Sequence, residues 1–236
     1  MARTIPPKRL QELADCALEV FIQQGYRRTQ MGDVASKLGV AKGTLYLYVE
    51  SKKALFALAV RRASHGDEPI LLPEHLPLPT PKPGAILATI AEELKQRTLT
   101  PRLTHALNHT RAKDPERECI AILGELFDLL AANRIGIKLA DRCALDFPDM
   151  ATLFYTQGRI RLIAQLARYL EQRIQAGQLR PQPDIAVAAR VVLETLTSWA
   201  VHIHWDPYPQ PVDGPTARTT VLTLLTHGLL VRERRA

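Results

Sequence analysis

Thr29-Gln-Met-Gly-Asp-Val-Ala-Ser-Lys-Leu-Gly39-Val-Ala-Lys-Gly-Thr-Leu-Tyr-Leu-Tyr-Val-Glu-Ser-Lys52 spells two short helices around a turn, over about 30–37 and 41–48. Thr29 has the hydroxyl to cap the first helix, and Ala35 is small enough for helices to cross closely there. Gly39 relieves the turn, since it accepts left-handed backbone without a Cβ clash. Val34, Leu38, Val40, Leu45 and Val49 then close a small core. This is helix-turn-helix grammar, although helix-glycine-helix corners also occur in ordinary bundles.

The outward face of the second short helix adds to that pattern. At about 100° per residue Leu45 and Val49 point inward, while Gly43 and Leu47 point out, flanked by Lys42 with Tyr46 and Thr44 with Tyr48. A central glycine costs a surface helix about 0.8–1.0 kcal/mol relative to alanine. An exposed leucine between tyrosines gains nothing in water. Both make sense if a partner lies against the face: glycine permits close approach to a duplex, leucine suits a thymine methyl, and hydroxyls and an ammonium suit phosphates and base edges. A protein partner fits the leucine and tyrosines too. Next, Ser51 reads as the cap of a further helix running to about Ser64, with Lys52 and Lys53 in its first turn. Cations there oppose the helix dipole unless an anion, such as a DNA phosphate, docks beside them.

Outward from this stretch, a first helix is expected over about 8–24, with Leu13, Ala14, Ala17, Leu18, Phe21 and Ile22 on one stripe and Gly25 as its stop. Residues 1–62 hold 11 Lys/Arg against 5 Asp/Glu, and the rest of the chain holds 20 against 19. Such local excess suits a polyanion, and a solvated basic face has the same composition. Pro69, Pro73, Pro77, Pro79, Pro81 and Pro83 then make a linker or extended excursion over 69–83. Helices are expected beyond it at about 84–98, 101–112, 116–132, 134–144, 149–176, 184–205 and 215–232. The fold class is all-α, with one domain over 1–62 and another over 63–236.

Residues 10–60 closely resemble the DNA-binding domain of TetR-family repressors, through Leu13-Ala14, Ala17, Phe21, Gly25-Tyr26, Thr29, Val34-Ala35, Leu38 through Tyr46, Tyr48-Val49, Ser51-Lys52 and Leu55-Phe56. The resemblance implies that Thr29 and Lys52 hold phosphates, and that Lys42, Gly43, Thr44, Tyr46, Leu47 and Tyr48 line the DNA-facing surface. Arg28 and Ala41 complete the DNA-binding set. Ala41 stands where a Ser or Thr is common, Val49 where Phe is frequent and Gln30 where Ser or Thr is frequent. Beyond residue 62 the likeness is to a subgroup, through Ile137-Lys-Leu-Ala-Asp141, Phe147-Pro148, Phe154-Tyr155 and Gly158, then Ala176 through Pro181 and Ala188-Ala189. It implies a homodimer through the helices near 149–176 and 184–205, binding double-stranded operator DNA, and an effector pocket among the central helices.

The residues agree with that architecture in part. Segment 184–205 is apolar nearly all round, so one neighbour does not bury it, whereas a second subunit or thorough burial within a monomer does. Segment 149–176 has a cleaner stripe, Leu153, Ile160, Ile163, Leu166, Ala167, Leu170 and Ile174, backed by an arginine-rich outer face. For an unknown small-molecule effector the candidates are His105, His109, Phe127, Asp141, Phe154, Tyr155, Trp199 and His202, each of which also reads as plain core. His105 and His109 have a two-ligand metal spacing with no third ligand evident, so no metal and no cofactor are expected. No phosphate loop, nucleophile elbow or convergent carboxylates point to an enzyme. Cys16, Cys119 and Cys143 are odd in number and widely separated, with neither a C-x-x-C nor a zinc-like spacing, so structural roles and a reducing compartment are expected. With no long apolar run, the expectation is a cytoplasmic protein without a membrane partner.

Overall fold

A computed structural model describes residues 7–65, 75–97, 99–209 and 211–231. Pro69 and Pro73, in the first part of the proline-rich excursion, lie outside them. The described residues are helical with no strand, and no helix among them is long and apolar enough to cross a membrane. The chain divides into two compact units: Met1–Lys95 with Ile135–Phe154, and Gln96–Arg134 with Tyr155–Ala236. The expected boundary at residue 62 therefore falls inside the first unit. Residues 135–154 pack with the N-terminal helices because Arg142, Asp146 and Phe147 bond and stack there.

In the first unit α1 (Pro7–Gln24) packs on α2 (Met31–Leu38) and α4 (Lys52–His65), and α2 packs on α3 (Lys42–Leu45). The stripe expected on α1 is its buried face: Leu13, Ala14, Ala17, Leu18, Phe21 and Ile22 are all buried. Phe21 and Phe56 meet edge to face at 5.0 Å, and Phe147 stacks on Phe56 at 5.2 Å and tilts against Tyr26 at 4.4 Å. Such ring pairs add about 0.5–1.5 kcal/mol each beyond the area they bury. Helices α5 (Ala85–Arg97), α8 (Arg134–Cys143) and α9 (Pro148–Thr152) complete the elements of this unit, apart from Arg134 and the end of α5.

In the second unit α11 (Ile185–Ala200) packs against α7 (Pro115–Ala132), α10 (Arg161–Gln175) and α12 (Gly214–Leu229), while α6 (Pro101–Leu107) packs on α7 and α10. Asp114, Asp184 and Asp213 cap α7, α11 and α12 by accepting from the amides of Arg117, Val187 and Thr216. Carboxylates at these positions also match the positive helix ends.

Several expected helices differ in detail. The segment expected as one helix over 149–176 widens to π-type winding over Leu153–Ile160 before α10 begins. The helix expected over 101–112 ends at Leu107, and that over 184–205 ends at Ala200, with a tight turn over His202–Trp205. The arginine-rich side of α10 is not wholly outward. Arg173 is fully buried, where it bonds to carbonyls at the end of α6 and in the connection after it, while Ile160 from the expected apolar stripe is exposed.

Candidate nucleic-acid interface

Within the first unit, Gly39 sits at φ +72°, and its amide and that of Val40 close the end of α2 on Ser36 and Ala35 carbonyls. A side chain at Gly39 would be strained by the backbone alone. At the other end of α2, the Gln30 amide donates to the Asp33 carboxylate at 2.7 Å. The expected Thr29 cap is therefore replaced. The Thr29 hydroxyl is buried and donates to the Gly25 carbonyl at 2.7 Å, so it holds the turn after α1 and has no proton left for a phosphate.

Helix α3 is shorter than the span 41–48. After Leu45 the chain tightens into three-residue turns, with Tyr46, Leu47 and Tyr48 amides donating to Gly43, Thr44 and Leu45 carbonyls at 3.3, 3.2 and 2.9 Å. Three residues per turn bring Tyr48 under Leu45 instead of beside it. Tyr48 is accordingly only 6% exposed, against the outward position expected for it. Tyr46 and Leu47 stay out, at 45% and 52%. Ala41, Lys42 and Gly43 are exposed and Thr44 is half-buried. A Cβ built on Gly43 would meet nothing within 4 Å. Nothing in the chain's own packing asks for glycine at that position.

The neighbouring edge is basic. Arg28 and Lys53 are exposed, and so is Arg27, whose amide donates to Asp146 at 2.6 Å. Lys52 is half-buried: its ammonium donates to the Arg27 carbonyl at 3.1 Å and lies 4.5 Å from the centre of the Tyr26 ring. Burial holds its pKa below the usual lysine range, an effect that Asp146 opposes. The last turn of α8 and the connection after it bond to this edge. Arg142 donates to the Ile22 and Gln23 carbonyls at 3.0 and 2.7 Å, at the end of α1, where cations suit the helix dipole. Sequence reasoning missed Arg142 and Asp146, since nothing local ties them to residues so far back in the chain.

The effector candidates fall in both units. Asp141 and Phe154 belong to the first unit, and the other six to the second. Phe127 is buried, Tyr155 and Trp199 are half-buried, and His105, His109 and His202 are exposed. His105 and His109 rings lie 4.5 Å apart, with Nδ1 of His109 2.9 Å from the His105 carbonyl. The polar centre of the second unit is instead Arg173, which donates to both Glu118 oxygens at 2.7 and 3.2 Å and to the His109 and Ala106 carbonyls at 2.8 and 2.9 Å. The available signal was an arginine three residues after Leu170 and four after Tyr169, on the buried side of α10.

A profile described as bacterial regulatory proteins, tetR family, matches residues 13–59, and one described as AefR-like transcriptional repressor, C-terminal domain, matches residues 128–206. Between them they span more than half of the chain. The fatty acid metabolism regulator protein of Bacillus subtilis (strain 168) is 23% identical over 232 residues, covering 94% of this chain and 96% of its own. Among solved structures, the ketosteroid transcriptional regulator KstR2 of Mycobacterium tuberculosis superposes with TM-score 0.57 at 16% identity, over 97% of this chain and 98% of the other. SCO3833 of Streptomyces coelicolor A3, described as a TetR-family transcriptional regulator, gives 0.55 at 19% identity, over 94% and 91%. At such identities these two structures establish the shared fold.

Proposed function

The chain belongs to the TetR family of bacterial regulatory proteins and is a DNA-binding transcriptional regulator; on that premise we propose that it is a repressor reading a palindromic operator with the face around Gly43. Lys42, Gly43, Thr44, Tyr46 and Leu47 meet the major groove, with Ala41 and Arg28 at its border. The observation that carries this reading is the open, exposed glycine between a lysine and two outward apolar side chains. A duplex is the partner that makes use of it, since a missing Cβ lets backbone approach base edges. Lys52 serves the phosphates from beside Tyr26, and exposed Lys53 and Arg27 strengthen the same edge. A DNA partner places the protein in the cytoplasm.

The regulator acts as a homodimer whose two reading helices enter grooves about 34–36 Å apart. Val187 and Val191 on α11 and Leu224 on α12 are 57%, 54% and 68% exposed, apolar surface that a second subunit covers. The outward residues of α10 are Arg161, Ala164, Arg168, Glu171 and Gln175, most of which suit water. The pairing uses α11 as expected, with α12 beside it, and Ile160, 56% exposed, adds apolar surface from the segment 149–176.

The effector is an apolar small molecule that binds the helical second unit and favours a dimer geometry unsuited to the operator. Phe127, Tyr155 and Trp199 are its first candidate contacts. Fatty acyl compounds come first as probes, since the Bacillus subtilis relative is a fatty acid metabolism regulator.

Binding of purified protein to duplex from its own upstream region tests the reading, followed by fluorescence anisotropy across a salt series. Affinity falls steeply with salt, and Val191→Glu converts dimer to monomer and abolishes specific binding. Absence of binding to that DNA and to random duplex alike at low salt overturns it. A fatty acyl probe that neither raises the melting temperature nor releases DNA removes that ligand class.

A further inference from the structure

We propose that the extended segment around Pro77–Pro81 is a brace that sets the pose of the reading helix, with Thr80 as a positioning residue for DNA recognition. The inference rests on the Gly43 face being the reading surface. Helix α3 has only four residues, and no side chain caps its start at Ala41. A helix that short does not hold itself, because nucleation fixes several dihedrals for one hydrogen bond. Its far end is held from outside. The Leu78 amide donates to the Tyr48 carbonyl at 2.7 Å, and the Glu50 amide donates back to Leu78 at 3.0 Å, which pairs Val49 with Leu78 in a parallel bridge.

The sequence of the brace suits that task. In Pro77-Leu78-Pro79-Thr80-Pro81 the prolines have no N–H, so the segment owns two amides. Both are donated to the same short stretch: Leu78 to Tyr48, and Thr80 to the Glu50 carboxylate at 2.8 Å. Alternation places them on one side of an extended chain. The prolines also limit what the unfolded segment loses on docking. The Thr80 hydroxyl donates to Ser51 Oγ at 2.8 Å, and Ser51 Oγ accepts from the Ala54 amide at 3.2 Å. The bonded chain thus runs from the brace into the first turn of α4. Tyr46 and Leu47 stand immediately before the braced carbonyl, so a slack brace lets the reading side chains drift.

The test uses full-length dimer and an operator duplex that the wild-type protein selects from a random pool. Leu78→Pro removes one amide and keeps an extended backbone; Thr80→Val removes the hydroxyl, and Thr80→Ser retains it. Operator affinity falls about tenfold in Leu78→Pro and about fivefold in Thr80→Val, on the order expected for one lost hydrogen bond. Thr80→Ser behaves as wild type. Affinity for random duplex and the salt slope stay unchanged, and the Tyr48 and Glu50 amides exchange hydrogen faster in both damaging variants. Unchanged operator affinity overturns the brace alone, and so does an equal loss on operator and random duplex, which marks a phosphate contact instead. Wild-type protein that selects no duplex overturns the DNA reading and the brace with it.

Discussion

The face around Gly43 and the centre around Arg173 are opposites. On the first, the side chains that matter are exposed and the glycine has open space above it; in the second, a guanidinium with no exposure holds a carboxylate and two carbonyls together. The exposed face contributes little to folding, so on the proposed reading its composition answers to DNA. The buried centre answers to the fold, because an unpaired charge or carbonyl there has no water to turn to. Mutations should therefore separate cleanly into those that move stability and those that move DNA binding.

The largest effect expected is at the buried centre. Arg173→Met leaves the His109 and Ala106 carbonyls unpaired and Glu118 without its cation, and should cost about 3–5 kcal/mol in thermal or urea unfolding. A loss under about 1 kcal/mol would mean that water or another side chain substitutes for the guanidinium. Gly43→Ala should do the reverse. It raises stability by up to about 1 kcal/mol, since the added methyl meets nothing in the chain, and lowers operator affinity about tenfold by crowding the duplex. If both stability and binding improve, the glycine is not there for DNA. Lys42→Ala sharpens the contrast further: melting should be unchanged while the log-log salt slope of binding becomes shallower by about one.

The smallest effect concerns thiols, and it separates exposed from buried chemistry in the same way. Burial pushes the Cys119 thiol up to about 11 and Cys143 up to about 12, and raises half-exposed Cys16 less far. At pH 8 a thiol reagent should modify Cys16 first, as mass spectrometry would resolve. A folded pKa above the unfolded value means that the folded state holds the proton more tightly. The stability gained is complete below about pH 9 and is lost as pH rises toward 11–12. Melting temperatures that stay flat from pH 8.5 to 10.5 would contradict that burial.

Much of this was legible in sequence where the cause is local. The turn at Gly39 follows from its backbone freedom, the stripe on α1 from helical spacing, and the outward pair Gly43 and Leu47 from the positions of Leu45 and Val49. The exposure of Lys42, Gly43, Tyr46 and Leu47 was legible because it needs only a few consecutive residues to be drawn correctly. Tyr48 was misplaced when ideal α-helical rotation was continued past Leu45, where the chain in fact tightens. Thr29 was misassigned because a hydroxyl beside a helix start looks like a cap, while its carbonyl partner Gly25 lies four residues earlier. Which unit each effector candidate joins was not legible, since an aromatic or histidine in a helix carries no mark of it.

By itself, then, the chain of residues specified an all-helical protein with a two-helix reading motif, because periodicity and glycine backbone preference act within a few residues. Only the tertiary structure decided that Arg173 is inside, that residues 135–154 pack with the N-terminal helices, and that Pro77–Pro81 lies along the turn over 48–50. The physical reason is distance along the chain: the bond from Arg142 to Ile22 joins residues 120 apart, and the bonds from Arg173 to Glu118 join residues 55 apart. No local propensity encodes such contacts, which form when packing brings donors and carbonyls together away from water.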